Sequence, residues 1–230
     1  MRTALAAIGF SLSVAAPAAA MDDAMTFHMV RGEIDGARVD GEDALTWEGD
    51  AWIGGDVNKF WFKSEAEIVD GRAESAEVQA LWSRNVADFW DLQAGVRVDL
   101  EPDAATYLVI GLQGLAPYRF ETEATSFLSD EGEVSVRFRQ SLDLHLTQRL
   151  IAEPHLEINA FAQDDAPRNI GAGLADVEAG VQIRYEITRK FAPYLDLVWE
   201  RALGETASLI RADGGDVESA AVRAGIRFWF

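Results

Sequence analysis

Residues Val217 to Phe230 read V-E-S-A-A-V-R-A-G-I-R-F-W-F and alternate with a period of two. Ala220, Val222, Ala224, Ile226, Phe228 and Phe230 share one face of a strand; Ser219, Ala221, Arg223, Gly225, Arg227 and Trp229 share the other. The same division recurs upstream. Val136, Phe138, Leu142, Leu144 and Leu146 oppose Arg137, Arg139, Ser141, Asp143 and His145. Leu150, Leu156, Ile158 and Ala160 oppose Glu153, His155, Glu157 and Asn159, and Val177, Val181, Ile183, Tyr185 and Ile187 oppose Glu178, Gln182, Arg184 and Glu186. One face collects charges of both signs while the other carries almost none. That is the pattern of a transmembrane β-barrel, with lipid outside and a polar lumen inside. The alternation predicts an all-β, antiparallel up-and-down barrel of twelve strands, an even number as such barrels require. They fall at about 26–35, 43–53, 58–69, 72–84, 89–100, 105–115, 118–128, 132–146, 149–162, 174–188, 191–202 and 217–230. Pro154 lacks a ladder donor, so a bulge or strained edge is expected there.

The connections fall into two alternating sets. Asp70-Gly71, Glu101-Pro102-Asp103, Ser129 to Gly132, Gln163 to Gly173 and Gly204 to Asp216 are acidic and include the long ones. Gly54-Gly55-Asp56, Asn85 to Asp88, Ala116-Pro117, Thr147-Gln148 and Thr188 to Lys190 make the other set. Longer loops belong outside the cell in such barrels, which assigns the second set to the periplasm. Trp52, Phe60, Trp61, Trp82, Phe89, Trp90, Tyr118, Phe120, Phe191, Tyr194, Phe228, Trp229 and Phe230 flank that second set or the carboxy terminus, as an interfacial aromatic belt would.

Composition adds the compartment. Arg2, the apolar run Ala4 to Ala16, then Pro17 and Ala18-Ala19-Ala20 read as a secretory signal peptide spanning 1–20 with cleavage after Ala20. The barrel domain is then 21–230, exported through the periplasm to the outer membrane. The formal net charge of −19 argues against nucleic acid as a partner. There is no cysteine.

Two long stretches carry a family resemblance. Ala44 to Glu65, A-L-T-W-E-G-D-A-W-I-G-G-D-V-N-K-F-W-F-K-S-E, resembles the opening of the copper resistance protein B family. Ala162 to Ile187, Arg189 to Tyr194, Trp199 to Arg201 and the closing G-I-R-F-W-F are similar to the same family. The resemblance implies an outer-membrane barrel serving copper tolerance, with copper ions and membrane lipid as its partners and a periplasmic copper protein as a further candidate. It leaves the oxidation state, Cu(I) or Cu(II), open. Such proteins often carry a Met- and His-rich segment ahead of the barrel; here Met21 to Met25 is all that precedes the first strand, so copper storage in an amino-terminal tail is not expected.

With copper as the expected ligand, inward-facing soft or imidazole groups become candidates. By parity Met29 and Glu33 face the lumen on the first strand, and His28 faces away. His145 and His155 face inward on neighbouring strands, with His145 roughly opposite Leu150, and Glu153 and Glu157 flank His155. The metal set is therefore Met29, Glu33, His145, Glu153, His155 and Glu157. For each, packing or a histidine–carboxylate hydrogen bond is the plainer reading. A lumen charge network of Asp50, Lys59, Lys63, Glu65 and Glu67 with Arg223 and Arg227 would join the first and last strands. No enzyme is expected: Ser141 and His145 share a face but stand about 13 Å apart along a strand, too far for proton transfer. The competing reading is a generic small-solute or structural barrel with no metal selectivity.

Overall fold

The computed structural model describes residues 26–39, 41–165 and 168–230. The signal segment and Met21 to Met25 lie outside the described residues. Thirteen strands in antiparallel order form one sheet: β1 (Phe27–Val39), β2 (Glu42–Gly54), β3 (Asn58–Val69), β4 (Arg72–Ala87), β5 (Trp90–Glu101), β6 (Ala105–Ala116), β7 (Phe120–Ser129), β8 (Val134–Ser141), β9 (Leu144–His145), β10 (Leu150–Phe161), β11 (Gly173–Tyr185), β12 (Phe191–Ala202) and β13 (Glu218–Trp229). β8 and β9 both pair with β10 and are two parts of one wall position, so the wall is twelve strands. β1 pairs with β13 from Arg31↔Trp229 to Gly36↔Ala224, which closes the barrel. Phe230 and Val30 exchange both backbone hydrogen bonds, at 2.8 and 3.0 Å.

The break between β8 and β9 has a local cause. Pro154 of β10 stands opposite Leu142 and has no N–H to offer; its carbonyl still accepts from the Leu142 N–H at 3.2 Å. The register on the two sides is the same, His155↔Ser141 and Ile151↔His145. Pro154 thus interrupts the ladder without the expected bulge. The register shift in β10 comes instead at Asn159/Ala160.

Side chains follow the alternation. On β6 the outward Leu108, Ile110 and Leu112 are exposed, whereas the inward Tyr107 and Val109 are buried. On β12 the outward Leu195 and Leu197 are exposed, and the inward Tyr194, Asp196 and Val198 are buried. An exterior of exposed aliphatics around a charged interior is the inverse of a water-soluble core and suits a hydrocarbon surround. One sector inside is filled. Leu81, Tyr107, Val109 and Phe127 form a small buried cluster on β4 to β7, with Trp61 and Ala105 against it. The Arg97 guanidinium lies 5.0 Å from the Tyr107 ring centre and 4.8 Å from that of Phe127, and Arg137 lies 5.4 Å from Phe127.

The two ends differ. At the turn end the connections are short. At the loop end Asp70-Gly71 is a two-residue turn with positive φ at both residues, 47° and 76°, as a type I′ turn requires. The expected Gly204–Asp216 loop contains a helix, α1 (Gly204–Ala212), whose Thr206 and Ala207 are buried. Thr206 Oγ1 accepts from the Gly171 N–H at 2.9 Å, tying the two long loops together. The aromatic belt is only partly as expected. Phe60, Trp82, Phe89, Tyr118 and Phe230 are exposed at the turn end, but Tyr194 points into the lumen and is 5% exposed.

Candidate functional site in the barrel lumen

The open lumen is a cavity of about 990 Å3 lined along β1 to β3 and β10 to β13, by Arg139 of β8 and, toward the turn end, also by Asn85, Asp91, Gln113, Glu121 and Glu123 of β4 to β7. Its wall carries fifteen carboxylates against six lysines and arginines, an excess of nine. Arg97, Arg137 and Arg184 beside it are matched by Glu77, Asp99 and Asp143, so the excess is not cancelled by the adjoining side chains.

The arginines mostly lock the wall. Arg139 reaches across from β8 to Glu65 on β3 with two contacts of 2.6 and 2.8 Å and holds Glu157 as well. Arg137 joins Glu77, Glu65 and Glu157 at 3.1, 3.4 and 3.6 Å. Arg227 binds Glu33 at 2.6 Å and Glu153 at 2.8 Å. Arg184 pairs with Glu153 and Asp143. Such bidentate and shared contacts offset part of the cost of withdrawing charges from bulk water.

The expected charge network is split: none of Asp50, Lys59, Lys63, Glu65 and Glu67 pairs with Arg223 or Arg227, and the first and last strands are joined instead by Glu33 and Arg227. Asp50 pairs with Arg31 (2.8 Å), Lys59 with Asp91 (2.6 Å), Lys63 with Glu123 (2.8 Å) and Glu65 with Arg139. Glu67 lines the cavity with no ion pair among the described residues. Arg223 contacts Glu178 at 3.3 Å and Arg227 contacts Glu33 and Glu153. Apart from Glu67, each of these side chains pairs across the lumen or with a nearby strand, because register and barrel curvature, not sequence order, decide which ends meet.

The expected metal set is dispersed in the same way. Glu33 and Glu153 meet at Arg227, and Glu157 belongs to Arg137 and Arg139. Met29 pairs with Trp52 on β2 and lies outside the cavity wall. His145 stands opposite Ile151, is exposed at the turn end and is also outside that wall. His155 is four residues along the ladder from His145's level, about 13 Å. Among the described residues no three His, Asp or Glu side chains form a ready-made metal cage.

His155 lines the cavity, but its neighbours are not Glu153 and Glu157. Its Nε2 is 3.8 Å from Glu178 on β11 and 3.8 Å from Asp196 on β12. The imidazole crosses β11 over Gly180, where an added Cβ would sit 2.4 Å from Nε2. A second bare position, Gly225, lets Tyr194 of β12 donate to Asp35 of β1 at 2.8 Å across β13. Parity places Glu178 inward but gives no partner for Asp196 or Asp35. A glycine inside a strand was the available signal, since it marks close approach of neighbouring groups.

The fold is shared with a solved outer-membrane barrel. The NanC porin aligns with a TM-score of 0.57 at 12% identity, covering 88% of this chain and 99% of that one. Sequence similarity is more specific. The family profile described as "Copper resistance protein B precursor (CopB)" matches residues 26–230. The copper resistance protein B of Escherichia coli is 40% identical over 210 residues, 91% of this chain and 71% of that one. A copper resistance protein B homolog of Pseudomonas syringae pv. tomato matches at the same identity and coverage. This twelve-stranded barrel belongs to the copper resistance protein B family.

Proposed function

We propose that the protein is an outer-membrane path for copper ions, which it binds in passing through its charged lumen. The observation that carries the reading is the excess of nine carboxylates on the cavity wall. Low-dielectric walls of one net sign focus the field, concentrate counter-ions and exclude co-ions. Asp35, Glu48, Glu67, Glu121, Asp176 and Glu200 line the cavity without an ion pair among the described residues, so no paired lysine or arginine competes there with a passing cation. The family's association with copper resistance supports copper as the cation that matters. On this reading the chain is exported, and inserted with its longer loops outward. A periplasmic copper protein at the turn end is the partner such a path would serve.

The test is copper entry into proteoliposomes that enclose a copper-responsive fluorophore. Entry well above that of protein-free vesicles, and reduced when Glu67 and Glu200 are both replaced by Gln, is the expected result. Entry equal to protein-free vesicles would overturn the reading.

A further inference from the structure

Charge is distributed unequally along the lumen. Depth follows from position on each strand, because every strand runs between the turn end and the loop end, with β8 and β9 as one wall position. In the loop-end half the cavity wall carries seven carboxylates against Arg139 and Arg223. In the turn-end half it carries six against Arg31, Lys59, Lys63 and Arg227, and Glu33 and Glu48 sit at the midpoints of β1 and β2. Pairing sharpens the difference. In the turn-end half Asp50, Asp91, Glu123 and Glu153 each hold a lysine or arginine within 2.8 Å, and Glu121 is the one carboxylate there with no ion pair among the described residues. In the loop-end half Asp35, Glu67, Asp176 and Glu200 have none among the described residues, and Glu178 meets Arg223 only at 3.3 Å. Glu157, Glu178 and Glu200 also stand directly opposite one another on β10, β11 and β12. Like charges in such register destabilise a sheet, so stability does not account for the row. The connections extend the polarity. Glu101, Asp103, Asp130, Glu131 and Asp164 crowd the loop end, whereas Arg119, Arg149, Arg189 and Lys190 face Asp56, Asp88 and Glu186 at the turn end.

We infer that the lumen is a rectifying cation path, through which hydrated cations pass more readily from the loop end to the turn end than in reverse. The inference rests on the reading of the lumen as a cation path and adds its direction. A net negative wall excludes anions, so cations carry the current through the loop-end half. In the more nearly balanced half both signs carry it. A voltage that drives cations from the loop end to the turn end brings cations to the junction of the two halves from one side and anions from the other. Anions cannot go on into the acidic half, so both signs accumulate at the junction and the conductance rises. The opposite voltage draws both away from the junction, and the conductance falls. Glu67, Asp176 and Glu200 set the direction, because they carry the unmatched charge nearest the loop-end mouth. No fixed binding site is needed for this, since the field acts on ions that keep their water.

The experiment is current through the purified full-length barrel in a planar bilayer, with equal potassium chloride on both sides at low ionic strength, where screening is weakest. The barrel is delivered by fusing vesicles in which labelling of Ser208→Cys from outside has fixed its orientation. Current that carries cations from the loop end to the turn end is expected to exceed the opposite current by about twofold or more. Replacing Glu67 and Glu200 together by Gln should bring that ratio close to one. Gln113→Glu adds a carboxylate to the cavity wall in the turn-end half, and should lower the ratio while raising cation selectivity, a change that misfolding does not produce. Equal currents in the parent barrel, a larger current in the opposite direction, or a ratio that neither variant alters would overturn the inference. A potassium chloride gradient separates this from the underlying reading. Cation-selective current without rectification would sink the direction and leave the path standing; anion-selective current, or none, would sink both.

Discussion

Replacing Arg139 by Gln isolates the energetic role of the cross-lumen ion pairs. Arg139 holds Glu65 through two contacts and Glu157 through a third, spanning from β8 to β3 and β10. Without it, Glu65 keeps Arg137 at 3.4 Å and Glu157 keeps the same guanidinium at 3.6 Å, which also holds Glu77, so three carboxylates share one cation. Removing one partner of a buried pair costs about 3–5 kcal/mol. The three side chains here are 29% and 22% exposed to lumen water, which lowers the expected cost to roughly 2–3 kcal/mol. With a urea slope of about 2 kcal/mol per molar, the unfolding midpoint should fall by roughly 1–1.5 M. Tryptophan fluorescence of the barrel in lipid vesicles reads it. Arg38→Gln is the control, because its 3.9 Å pair with Asp43 is largely exposed and should matter little. Adding Glu65→Gln to Arg139→Gln should restore part of the loss, since the stranded charge is then gone. A midpoint for Arg139→Gln equal to that of Arg38→Gln would refute the idea that these pairs hold the wall.

Ile110, 57% exposed in the middle of β6, faces outward, and Ile110→Arg should impair insertion by about 2–4 kcal/mol. Gln113→Arg on the lumen face should insert normally, as vesicle-folding yields would show. Tyr194→Phe removes the donor to a part-buried Asp35 carboxylate and should cost about 1–3 kcal/mol in the same urea assay. A membrane-impermeant thiol reagent added to intact cells should label Ser208→Cys on α1 and spare Asp56→Cys at the opposite end; equal labelling would reverse the orientation.

The wall was largely legible and the lumen contacts were not, for a physical reason. Period-two alternation reports which face a side chain takes, and β13 shows it from Ala220 to Arg227. Facing alone does not say which inward side chains meet. That depends on register, tilt and curvature, which bring Arg139 to Glu65, 74 residues away. His155 illustrates the difference. Its own-strand neighbours Glu153 and Glu157 stood out in the sequence, yet the bare Gly180 lets the ring lean sideways to Glu178 and Asp196. Pro154 announced a disturbance, but its outcome depended on the partner strand, which broke at residues 142–143 while keeping register. The helix α1 left little trace, because its buried face is only Thr206 and Ala207 packed near Gly171 and β11.

On the proposed function, the carboxylate excess on the lumen wall makes this barrel a path for cations. A planar bilayer containing the purified protein, with a gradient of copper sulfate across it, tests this most directly. The reversal potential is expected to have the sign set by Cu(II), and to shift toward zero when Glu67 and Glu200 are both replaced by Gln. A reversal potential of the opposite sign, set by sulfate, would rule out a cation path through this lumen.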